Sequence, residues 1–155
     1  MPILFLCFLI GVIAGLRALT APTVVSWAAR LGWIDLSTTP LAFLGFAYTA
    51  YILSLLALGE IANDKRASTP SRKIPPQFIT RIVMGGFAGA ALGLSHQSLV
   101  LGLVAGAIGA VAGTLGGAEV RGRLAKAVGN DLPVALLEDI IAVGGGLFIV
   151  SLSGK

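Results

Sequence analysis

Long apolar stretches separated by short polar ones run the length of the chain. A hydrocarbon core about 30 Å thick takes about twenty residues of α-helix at 1.5 Å per residue. By that measure the pattern predicts an all-α, polytopic membrane bundle, a single domain of about five transmembrane helices near 2–20, 39–60, 78–94, 99–117 and 132–152. Pro22 closes the first of these, because a proline cannot continue a helix without losing a backbone hydrogen bond. Beyond it, Trp27, Arg30 and Trp33 recur three apart, which reads as a short amphipathic segment lying at the membrane interface. From Phe78 to Ala118 the one charge is Arg81, and the stretch is too long for a single crossing. It must turn back, and Ser95-His96-Gln97-Ser98 is the polar cluster available for the turn.

Both arms of that hairpin carry glycine at four-residue spacing, Gly85, Gly89 and Gly93 on one, and Gly102 with Gly106, then Gly109, Gly113 and Gly117, on the other. Such stripes predict Gly-rich packing faces, since in lipid close backbone approach supplies the association that the hydrophobic effect cannot. Two polar segments read as basic loops. Residues 64–77 hold three prolines and the cations Lys65, Arg66, Arg72 and Lys73, and residues 119–131 hold Arg121, Arg123 and Lys126 before Gly129-Asn130-Asp131. The positive-inside rule places both in the cytoplasm, and five spans then put the N-terminus inside and the C-terminus outside.

Composition sharpens the membrane reading. Of 155 residues, 56% are hydrophobic and 12% charged, and mean hydropathy is +0.94. A soluble domain is about a quarter charged. The net charge of +4 does not indicate nucleic acid, because the cations sit between apolar spans without interleaved aromatics. Cys7 is the single cysteine, so neither a disulfide framework nor a cysteine metal site is expected. The first twenty residues lack a basic leader and a small-residue cleavage pattern, so they read as a retained helix. A faint hydropathy echo links 15–44 with 117–137, of the kind that inverted repeats leave and that chance also produces.

Charges inside apolar spans cost several kcal/mol and call for a partner, a water path or a function. Glu60 and Asp64 share a helix face four residues apart, yet at the C-terminal end of their own helix they oppose its dipole. Pairing with Arg72, Arg81 or Arg121, or binding of a divalent cation such as Mg²⁺, would account for them. Glu138 and Asp139 enter the last span from the same membrane side. The four carboxylates are thus candidates for metal or acid/base roles, and Arg72, Arg81 and Arg121 with Lys65 for phosphate binding, arginine supplying the bidentate fork. The alternative for each is an interhelical ion pair. Arg17 stands apart, at the far end of the first span, either snorkelling to the outer interface or serving as a counter-charge inside the bundle. His96 is isolated in the turn and reads as a loop residue, and no catalytic triad, zinc spacing or phosphate-loop pattern is present.

The combination Gly15-Leu16-Arg17-Ala18, Ala21-Pro22, Glu60 with Asp64-Lys65, Pro70-Ser71-Arg72, Arg81, Arg121 and Glu138-Asp139 resembles a bacterial membrane family known as domain of unknown function 4126, over nearly the whole length. That resemblance implies no activity. The order Gly113, Arg121, Arg123, Pro133, Glu138-Asp139 more distantly resembles the CDP-archaeol synthases, five-helix enzymes that transfer a cytidylyl group from CTP to an ether lipid. Thr114 stands where their metal-binding aspartate would be.

Three functions follow as expectations. The charged residues could form a cytoplasmic-facing pocket for a phosphorylated lipid or isoprenoid headgroup, with a divalent metal. They could line the path of a small-solute or ion transporter acting as a homo-oligomer. Or they could be structural bridges of an assembly module. The expected setting is a bacterial plasma (inner) membrane, with anionic lipid as a partner.

Overall fold

A computed structural model describes residues 2–64 and 75–154, Asp64 by its backbone only. Lys65, Arg72 and most of the first basic segment lie outside the described residues. Six helices follow one another, α1 (Ile3–Leu16), α2 (Thr20–Arg30), α3 (Ala47–Asp64), α4 (Pro75–Leu94), α5 (Leu99–Val128) and α6 (Asp131–Ser153), with a short 3-10 turn at Ala42–Gly45 before α3 and no strand among the described residues. Three of them, α4, α5 and α6, are long and apolar enough to cross a membrane.

The surface of the bundle is the inverse of a soluble protein's. Leu55, Ile108, Ile140 and Phe148 point outward, more than half exposed, while Arg17 and Arg81 are buried. The core holds Leu6, Ile10, Val25, Leu44, Leu92 and Val150, and the contact between α1, α4 and α5 is built from glycine and alanine. Ideal Cβ atoms on Gly11 and Gly109 would collide with the backbone of Gly106 and of Phe8, and those on Gly89 and Gly106 with the backbone of Gly102 and of Gly85. Three helices therefore touch through bare backbone. The order of these contacts makes α1 parallel to α5 and α4 antiparallel to both, and van der Waals contact at this range is what holds helices together in lipid.

Four sequence expectations change here. The first span does not run to residue 20. The helix stops at Leu16, because Arg17 takes an extended backbone (φ −142°, ψ 105°). The following segment is not interfacial. As α2 it turns back beside α1, with Val25 and Ala28 fully buried and the Trp27 indole donating to Ser54 Oγ of α3 at 2.9 Å. The span expected from residue 39 becomes regular helix only at Ala47. The second basic segment is helical, since nothing between Gly117 and Val128 breaks α5. A Glu119–Arg123 pair at 2.8 Å supports this extension, and Gly129, at φ 80°, ends it in the left-handed region.

The bundle thus has a turn end and a basic end. At the turn end, Gly93 and Ser98 sit in contact, the His96 imidazole Nε2 is 3.1 Å from the Ser153 carbonyl, and Gly154 packs on Trp33. There Asp35 accepts the amide and hydroxyl of Ser37, which holds its carboxyl below the usual range. Because α1 descends from this end parallel to α5 and α2 returns to it, both ends of the described chain lie there. Consecutive crossings would have placed them on opposite sides; the break at Arg17 converts the first crossing into a hairpin.

Candidate functional site

The hairpin's tip, Gly15 to Thr20, is where the charges meet. At 1.5 Å per residue, Glu60 lies about 20 Å along α3 from the turn end, Arg81 about 20 Å along α4, and Asp139 about 21 Å along α6. Each was placed by its own helix, and they arrive at one level. The level is set by the glycine contacts, which seat Gly15 against Gly113 and Thr114 of α5.

A broken helix leaves carbonyls without partners at one cut and amides at the other. Both cuts are filled by side chains. Arg81 Nη1 donates to the carbonyls of Gly15 (2.7 Å) and Leu16 (2.8 Å), closing the C-terminal end of α1. Glu60 accepts the amides of Ala18 and Leu19, one on each carboxylate oxygen at 2.8 Å, closing the N-terminal end of α2. Cation and anion each meet the favourable pole of a helix dipole. Glu60 sits at the wrong end of its own helix because it caps another one. Arg81 Nη2 and Glu60 Oε1 are 3.9 Å apart, which links the two caps.

Arg17 occupies the gap between the half-helices and is fully buried. Its Nε and Nη2 both lie 2.6 Å from Asp139 Oδ1, with Glu138 Oε2 at 3.8 Å. Of the two readings open to it, snorkelling to the outer interface and a counter-charge inside the bundle, the structure shows the second, with Arg17 paired to α6. Glu138 also accepts Arg121 Nη1 at 3.2 Å, and Arg121 makes a two-point contact with Asp131 at 3.0 and 2.7 Å. Asp131 opens α6 behind Asn130, whose side chain caps the Leu132 amide.

Of the residues singled out in the sequence, Arg17, Glu60, Arg81, Arg121, Glu138 and Asp139 come together. Lys65 and Arg72 lie outside the described residues, as does the Asp64 side chain. Each placed carboxylate faces an arginine or an amide pair, and among the described residues no three His, Cys, Asp or Glu side chains approach closely enough to hold a metal ion. Sequence reasoning missed the Ala18 and Leu19 amides, which only the broken helix frees, and Asp131, for which an acidic first turn after an asparagine cap was a readable signal. It also missed Thr114, fully buried with its hydroxyl 3.4 Å from the Gly15 carbonyl.

Glu60→Ala is expected to lower stability in detergent by about 2 kcal/mol, since two part-buried amides lose a charged acceptor. Glu60→Gln keeps one acceptor oxygen and should cost about half as much. Chemical or thermal unfolding measures both, and equal stability of Glu60→Ala and wild type would remove the capping role.

One open groove adjoins this layer toward the basic end. It holds about 210 Å³ between α5 and α6, with Leu16, Val120, Leu124, Leu137 and Ile141 as walls and Arg121 and Glu138 along its side. No curated protein and no solved structure matches the chain significantly. The profile of one family, described as Domain of unknown function (DUF4126), matches residues 4–153, and with nearly every helix and all the charges of the layer inside that match, the chain belongs to this family.

Proposed function

We propose that the α5–α6 groove binds an anionic lipid, with one chain against Val120, Leu124 and Ile141 and a phosphate on Arg121. The observation that carries this is the position of Arg121. Its side chain is 15% exposed at the edge of an apolar groove, and its fork rests on Asp131, which is 57% exposed. A carboxylate open to solvent is a partner that a phosphate can displace, because arginine binds both in the same two-point geometry. Arg17 and Arg81 have no such freedom, being buried on Asp139 and on the α1 carbonyls. Among the arginines expected from the sequence that the structure places, phosphate binding thus falls to Arg121, while Lys65 and Arg72 lie outside the described residues. This reading needs no Mg²⁺.

By the positive-inside rule the basic end faces the cytoplasm of a bacterial plasma membrane, with both ends of the described chain on the far side. The groove then opens to the inner leaflet.

Native mass spectrometry of protein released from mild detergent with added phosphatidic acid tests the proposal. Arg121→Gln should lower adduct retention at least about fivefold, and Asp131→Asn should raise it by removing the competing carboxylate, opposite effects from neighbouring partners. Retention equal to wild type in Arg121→Gln would overturn it.

Transport is the second reading, and the broken α1–α2 hairpin favours it, since discontinuous helices with their ends at membrane depth build the substrate sites of many transporters. Flux into proteoliposomes that Glu60→Gln abolishes would move the assignment there.

A further inference from the structure

The connection from α2 to α3, residues 31–46, lies at the turn end and is folded against the bundle. Ile34, Leu36 and Leu44 are buried, the Trp33 amide donates to the Ala28 carbonyl at 2.8 Å, and the Ser26 hydroxyl donates to the carbonyl of Leu44. A pocket of about 690 Å³ opens within this connection, with Ile34, Leu36, Ala42 and Phe46 among its walls and Asp35 and Ser37 on its polar side. It belongs neither to the charged layer nor to the α5–α6 groove.

Asp35 is the one charged residue in its lining. Oδ1 accepts the Ser37 amide at 3.0 Å and the Ser37 hydroxyl at 2.6 Å, which fixes the carboxylate, while Oδ2 accepts no hydrogen bond. Every other carboxylate side chain among the described residues has an arginine within 4.0 Å, and Asp35 has no cationic side chain at that range. This donor set decides the class of ligand. A hard metal cation takes about six oxygens or more. One fixed carboxylate among apolar walls suits an ammonium on a small apolar body, and Phe46, 59% exposed, adds a ring of the kind whose face attracts cations. Trp33 and Tyr48, both exposed at this end, are residue types favoured at headgroup depth, where zwitterionic headgroups carry ammonium groups and dissolved amines also reach. We propose that the turn-end pocket binds an alkylammonium group, its charge on Asp35 Oδ2 and its apolar part against Phe46 and Ala42.

Choline and 3,3-dimethylbutanol share a shape and differ by the charge. Saturation-transfer NMR on the full-length protein in a neutral maltoside detergent measures both. Choline should reach half-saturation at about fivefold lower concentration than the alcohol, the value of one exposed ion pair. Asp35→Asn, which keeps the shape and an oxygen for Ser37, should abolish that preference, and Asp35→Glu, which keeps the charge, should retain it. Phe46→Leu should weaken choline about threefold. Equal binding of choline and the alcohol would overturn the proposal, as would a preference that survives Asp35→Asn. Loss of the preference in Asp35→Glu as well would make Asp35 a determinant of loop shape alone and overturn it. Binding that Asp35→Asn removes and Phe46→Leu leaves untouched would put the ammonium on a solvated carboxylate outside the pocket, which also overturns it. Two further additions identify the source. Displacement of choline by phosphatidylethanolamine assigns the pocket to a lipid headgroup, and displacement by ethanolamine alone assigns it to a dissolved amine. Displacement by neither would overturn the proposal.

Discussion

Asp139→Leu is expected to lower the unfolding free energy in detergent by about 3 kcal/mol, the cost of stranding a buried cation. Arg17 is fully buried, and its Nε donates to Asp139 Oδ1 while Nη2 lies at the same 2.6 Å from that oxygen. Glu138 stands 3.8 Å from Nη2 and shares its charge with Arg121, so it compensates only in part. The size of the effect depends on Arg17 still being present. Arg17→Met in the same chain removes both charges at once, and burying two apolar side chains of similar length should restore most of the loss, as replacement of buried ion pairs elsewhere does. A double-mutant cycle read by thermal unfolding should therefore give a coupling energy of about 2 kcal/mol. Additive losses would mean that Arg17 and Asp139 act on stability separately, and the ion pair would not be what fixes the hairpin to α6.

The second large effect is expected at Gly106→Leu. A side chain at this position meets the backbone of Gly85 and Gly89 on α4, and Gly11 of α1 already rests on the Gly106 carbonyl. Neither neighbour is a flexible side chain that can swing aside, so whole helices must separate. A loss of about 3 kcal/mol or failure to fold is expected, at the upper end of overpacking costs. Gly122→Ala on the same helix should have the opposite sign. Nothing lies within 4 Å of a Cβ there, and alanine in a helix interior gains about 0.5–1 kcal/mol over glycine. The pair separates packing from helix propensity, and a fall in stability of similar size in both variants would remove the distinction. Gly106→Leu also displaces Gly15 from Gly113, so the Arg81 cap on the α1 carbonyls should be lost with it.

The charged layer satisfies itself to an extent that separates architecture from function. Arg81 and Glu60 close the two ends of a cut helix, and Arg17 ties the cut to α6. That is why the proposed lipid site lies at the edge of the layer. Arg121 can exchange an exposed partner.

Hydropathy alone was enough to identify a helical membrane protein, because apolar runs of about twenty residues have no other stable home. The α4–α5 hairpin was equally legible, since forty-one residues from Phe78 to Ala118 with one charge cannot cross once. The glycine stripes announced where backbones would touch, a property of the residue itself that does not depend on its partner. The charges were readable as a set for the same reason, each being costly in lipid wherever it lies.

What the sequence could not show was how the first thirty residues fold. Apolar periodicity through Arg17 reads as a continuous helix, and nothing local breaks it before Pro22. The break comes from interactions 42 to 122 positions away in sequence, Glu60 on the Ala18 amide, Arg81 on the Gly15 carbonyl and Asp139 on Arg17. A helix gives up its own hydrogen bonds only where others replace them, and those replacements exist only once α3, α4 and α6 stand around the hairpin. The same tertiary arrangement decided between the two readings of Arg17 in favour of a counter-charge inside the layer, and brought both ends of the described chain to one end of the bundle. Composition determined the solvent and the helices; packing against bare glycine backbone decided their depth, and with it which charges meet.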